Sequence, residues 1–84
     1  MLRRLHPAGG PALCDTLVEC GEARYLAGEH VAGLDLMREA YRYAKAAFAP
    51  DDPRRKRVAQ YLITYLERSG LEAELAEVRR AETP

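Results

Sequence analysis

Only two cysteines occur in the 84 residues, Cys14 and Cys20, and they form neither a C-x-x-C pair nor any zinc-ligand spacing. A disulfide framework and a redox dithiol are both excluded. Six residues apart on one helix, at roughly 100° per residue, the two thiols point well away from each other. Both read as small fillers in a reducing cytoplasm. Net charge is missing as well, since 13 Lys and Arg face 13 Asp and Glu. The whole chain therefore has no field to draw nucleic acid or an anionic membrane, and such binding needs a local patch. No apolar run approaches the roughly 20 residues of a membrane span. The opening MLRRLHPAGGP is basic but lacks the apolar stretch of about 7–15 residues that a secretory leader needs. A glycine-rich phosphate cradle, an H-E-x-x-H helix and a nucleophile elbow are absent too. With no nucleophile, base and orienting group to converge, catalysis, cofactors and metals are not expected.

What is present is helical periodicity cut by glycine and proline. Residues 1–10 end in HPAGG, a run of breakers, and are expected to be a flexible tail ahead of a single domain over 11–84. From Pro11, tolerated in a first turn because its missing N–H has no helical partner there, Leu13, Leu17, Gly21 and Tyr25 recur every four residues. They predict a helix over 11–27, closed by Gly28. Leu34, Met37, Tyr41, Ala44 and Phe48 then step by three and four, predicting a second helix over 29–49. Its outer face offers Asp35 to Arg38 and Glu39 to Arg42, pairs at i,i+3. Pro50 stops it, Asp52 can cap the next helix and Pro53 suits its first position. Val58, Tyr61, Leu62, Tyr65 and Leu66 predict a third helix over 53–69. Leu71, Leu75 and Val78 predict a fourth over 71–81, after Ser69 and Gly70. Tyr41, Tyr61 and Tyr65 fall on apolar stripes, whereas Tyr25 reads as a possible contact residue. His30 reads as a surface residue, and His6 belongs to the tail.

Gly28 and Gly70, each between two helices, lie 42 residues apart. A shift of 41 places Leu17, Gly21 and Tyr25 on Val58, Leu62 and Leu66, and Leu34 and Met37 on Leu75 and Val78. The stretch CDTLVECGEARYLAGEHVAGLDLMREAYRYAKAAFAPDDPRRKRVAQYL resembles a tetratricopeptide repeat. The likeness is to the long, roughly 42-residue version of kinesin light chains, against about 34 residues for the ordinary unit. Gly21 stands at that family's small residue in helix A, Gly28 at the turn glycine, Ala40 at the small residue late in helix B, and PDDP resembles the connector Pro-Asp-His-Pro. Leu17, Gly33 and Met37 depart from the pattern, as size changes that a packing site tolerates. The second unit is looser, with Leu62 or Ile63 where a glycine would stand.

The resemblance implies an all-α fold, antiparallel helical hairpins stacked as a short right-handed solenoid of four helices, about two repeats. It also implies a non-catalytic adaptor or scaffold, binding a peptide or helix of a protein partner along the surface lined by helix A of each unit. Carried over, that surface is Asp15, Val18, Glu22 and Tyr25 from the first helix and Arg57, Gln60, Thr64 and Glu67 from the third. Val18 and Glu22 occupy the places of the first Lys and Asn of the carboxylate clamp in the family's chaperone-binding branch, which sets that reading aside. About three repeats are usually needed for a stack to stand alone. With two at most, the fourth helix is expected to keep Leu71, Leu75 and Val78 uncovered, for self-association or for docking within a larger assembly.

A second function class rests on Arg54, Arg55, Lys56 and Arg57, four consecutive cations in the first turn of the third helix, where backbone N–H groups face outward. They form an alternative anion-binding or nucleic-acid site. Asp51 and Asp52 stand beside them, and no other basic cluster continues the stripe. Protein is therefore the expected partner rather than nucleic acid.

Overall fold

The computed structural model describes residues 11–83. The chain forms α1 (Pro11–Leu26), α2 (His30–Ala47), α3 (Pro53–Ser69) and α4 (Glu72–Glu82). The described part is all-helical, and each helix packs chiefly on the helix next to it in the chain, with α1 also touching α3. Its dimensions are 39 × 34 × 15 Å. The short dimension suits two layers of helices with axes about 10 Å apart.

The turns follow from residues that permit one conformation. Gly28 and Gly70 adopt left-handed φ values of 97° and 72°. In both, the glycine N–H donates to the carbonyl three residues back, from Gly28 to Tyr25 and from Gly70 to Glu67. The next N–H donates five back, from Glu29 to Arg24 at 2.9 Å and from Leu71 to Leu66 at 3.1 Å. The two hairpins thus close with the same Schellman geometry. The α2–α3 connection uses proline instead. Phe48 is extended (φ −127°, ψ 147°), so α2 ends two residues earlier than its periodicity predicts, as the coming Pro50 turns the chain out of the helix. Asp52 caps α3, its carboxylate accepting the Arg54 N–H at 2.8 Å, with Pro53 in the first position.

The buried core contains Met37, Leu62, Leu66 and Cys14 at its centre, ringed by Leu34, Ala40, Tyr41, Ala44, Val58, Ala59 and Tyr65. The stripes predicted for the second and third helices face it. The first helix differs: its buried row is Cys14, Val18, Gly21 and Tyr25, while Leu13 and Leu17 are only half-buried. A backbone contact turns α1 this way. A Cβ on Gly33 would lie 2.5 Å from the Gly21 carbonyl oxygen and 2.8 Å from the Tyr25 nitrogen, and one on Gly21 would lie 2.7 Å from the Gly33 oxygen. The helices meet glycine to glycine, so even the alanine expected to be interchangeable with Gly33 does not fit. The Cys14 thiol reaches the Ala40 carbonyl at 3.7 Å on the same face. Cys20, taken as a filler, is exposed instead.

Leu75 and Val78 are 9% and 6% exposed, sealed against α3 and the rest of the core, so the expected uncovered stripe on the last helix does not exist. Leu71 alone remains partly open, at 39%. Having only two buried side chains, α4 is held in addition by charge. Arg38 of α2 donates to both carboxylate oxygens of Glu74 at 2.6 and 2.8 Å and to Asp35 at 2.7 Å. Arg79 pairs with Glu67 of α3. At the far end Glu82 Oε2 accepts from Arg55 Nε and Nη2, at 3.0 and 2.9 Å, and from the Tyr41 hydroxyl at 2.5 Å. Among the described residues no helix is long and apolar enough to cross a membrane.

Candidate functional site

The α1 and α3 layer carries an open groove of about 410 Å³ lined by Glu22, Arg57, Gln60, Tyr61, Thr64, Tyr65 and Arg68. A shallow hollow of about 30 Å³ between Asp15, Val18, Glu19, Arg57, Val58 and Tyr61 continues it. Helical spacing explains the assembly. Arg57, Tyr61, Thr64 and Arg68 stand at i, i+4, i+7 and i+11 of α3, one face about 16 Å long. The floor is aromatic and its fittings are polar. The Tyr65 hydroxyl donates to Glu22 at 2.6 Å, a bond that raises its pKa together with burial, and so ties the two walls together. Gln60 donates to Thr64 at 3.3 Å along the rim. The Arg68 guanidinium lies 5.1 Å from the Tyr65 ring centre. Arg57 is exposed and has no carboxylate within ion-pair distance among the described residues.

Of the eight residues placed on this surface by resemblance, Asp15, Glu22, Arg57, Gln60 and Thr64 do line it. Val18 is 5% exposed and serves as floor, because the glycine contact with α2 turns its side of α1 inward. Tyr25 is buried too and is not a free contact residue. Its ring stacks on His30 at 4.3 Å and tilts against Tyr65 at 4.7 Å, and its hydroxyl bonds Ser69 at 2.8 Å. Glu67 faces away, toward Arg79 of α4. Tyr61, Tyr65 and Arg68 were missed as lining. Their signal was in the sequence, as continuations of the row begun by Arg57, but an aromatic at that spacing serves a core and a groove floor equally well.

The basic block does not act as four free cations. Arg55 turns inward to Glu82, their side chains 10% and 11% exposed, and its Nη1 reaches the Phe48 carbonyl at 3.4 Å. Arg54 folds back on Asp52 and lies over the Phe48 ring at 4.3 Å. Lys56 and Arg57 remain exposed. Around Glu82 burial raises the carboxyl pKa, but hydrogen bonds from Arg55 and Tyr41 and the charge of Arg55 outweigh it, and the net shift is downward. Burial, then the bond to Glu82, pushes the Tyr41 hydroxyl to about 12. This cluster is a clasp between helices: its hydrogen bonds run among Arg55, Tyr41, Glu82 and the Phe48 carbonyl, and Glu82 Oε1 is buried without a partner among the described residues. Among the described residues no three His, Cys, Asp or Glu side chains gather as a metal would require. Comparison with family models, with curated proteins and with solved structures finds no match for this chain.

Proposed function

We propose that the chain is a non-catalytic protein-interaction module, of tetratricopeptide-like character, that holds a peptide or helical segment of a partner protein in the α1–α3 groove. The observation that carries this reading is the combination of an aromatic floor, Tyr61 and Tyr65, with cations Arg57 and Arg68 that form no ion pair within the described chain. Apolar surface supplies affinity, and placed polar groups supply register. Three turns separate the two arginines, about 16 Å, so a segment with carboxylates near both ends and a large apolar residue between them fits best.

Peptides selected from a display library on the intact chain, titrated by fluorescence anisotropy, test the reading. Gln60→Glu and Thr64→Glu place negative charge on the rim and are expected to weaken a selected peptide roughly tenfold or more. Arg80→Glu on α4, outside the groove, leaves the affinity unchanged. Equal affinity for all of these folded variants would remove the groove from the site.

A further inference from the structure

The two ends of the stack differ in a way that assigns a second surface. At the α4 end, apart from Leu71 at its first turn, 39% exposed, the outward residues Glu72, Ala73, Ala76, Glu77, Arg79 and Arg80 are small or charged, the polar cap that ends a helical stack. The α1–α2 end has no such cap. Leu17, Ala32 and Leu36 line an open cleft of about 430 Å³ there, with Cys20 beside them. Leu13 and Tyr43, both half-buried, continue the same rows. This is the side of α1 left outward when the glycine contact turned Cys14 and Val18 into the core.

Arg24, Asp35 and Glu39 also line the cleft. Asp35, near its middle, is held by Arg38 of its own helix at 2.7 Å, while Arg24 and Glu39 mark opposite ends. With Gly21 against Gly33 as the reference level, Arg24 lies about 4.5 Å toward the turn and Glu39 about 9 Å the other way, at 1.5 Å per residue. Halfway between them are Cys20 and Leu36. A centre of Leu17, Ala32 and Leu36, whose one carboxylate, Asp35, is already paired with Arg38, with a cation at one end and an anion at the other is self-complementary under a two-fold axis. Glu39 has no ion-pair partner among the described residues. Arg24 has only Glu29 at the surface, both side chains 57% exposed, a pair that gives way readily.

We infer that the α1–α2 face binds a second copy of this chain, two-fold about an axis beside Cys20 and Leu36, with Arg24 of each copy on Glu39 of the other. Two helices, about 24 Å long and about 20 Å across together, give a footprint near 500 Å² per copy. That total of about 1,000 Å² is at the lower limit for a specific interface, the size of a weak, reversible dimer. The α1–α3 groove lies on another side of α1 and stays open in it.

Sedimentation equilibrium of the full chain is expected to show this dimer. Leu17→Glu abolishes it, Arg24→Glu weakens it roughly tenfold, and Arg24→Glu with Glu39→Arg restores it. In the unaltered chain a short bis-maleimide joins two copies through Cys20, which is exposed, while Cys14 is buried. A monomer throughout, a dimer indifferent to Leu17→Glu, a charge swap without rescue, or a dimer that never cross-links at Cys20 would each overturn the inference. So would a monomer whose α1–α2 face is protected from hydrogen exchange by residues 1–10.

Discussion

In the α1–α2 hairpin two backbones touch at Gly21 and Gly33, and the partnership of the helices is settled by what their side chains lack. In the α3–α4 hairpin Leu62 stands 41 residues on from Gly21, and α4 buries only Leu75 and Val78. Three ion pairs, Arg38 with Glu74, Arg55 with Glu82 and Arg79 with Glu67, supplement that small apolar seal. The turns are the same, but the forces differ. Close backbone contact is steep in distance and indifferent to pH, whereas a buried carboxylate ties its helix to the protonation state of one group.

The comparison can be broken from either side. Arg55→Ala leaves Glu82 buried without its cation and is expected to cost about 4 kcal/mol, read from urea unfolding, with the loss concentrated in α4 by hydrogen exchange. Gly33→Ala attacks the other hairpin. It raises helix propensity, yet it forces the backbones apart, and a net loss of about 3 kcal/mol is expected as a lower Tm. A neutral Gly33→Ala would show that α1 and α2 are not keyed by that contact.

Titration sharpens the contrast. Because the folded Glu82 pKa lies below its unfolded value, the clasp contributes fully above the ordinary carboxylate range, near pH 4.3, and loses that contribution as pH falls through the folded value. Tyr41 has the opposite sign. Its contribution is present below about pH 10 and is lost as pH rises through about 12. Thermal melts of the wild type against Glu82→Gln are expected to differ in their acid slope, and an unchanged slope would exclude Glu82 as its source. The smallest effect expected is at the joint between the hairpins: Asp52→Ala removes the α3 cap and lowers stability by about 1 kcal/mol in the same unfolding assay.

The groove shows how far residue spacing reaches. Arg57, Gln60 and Thr64 could be placed on one side of α3 from their positions alone, and they line the groove. Val18 and Tyr25 could not be judged that way, because exposure on α1 depends on its rotation about its own axis. Nor could Arg55 be told from Lys56, since the carboxylate that draws it inward is 27 residues away.

Four helices and their three turns were determined by the sequence itself, because glycine at positive φ, proline at a first turn and a repeating apolar step act over a few neighbouring residues. Which side of α1 faces inward and which arginine becomes a clasp were decided only by tertiary structure. Each depends on a distant backbone or charge arriving within a few ångströms, and no local propensity encodes that approach.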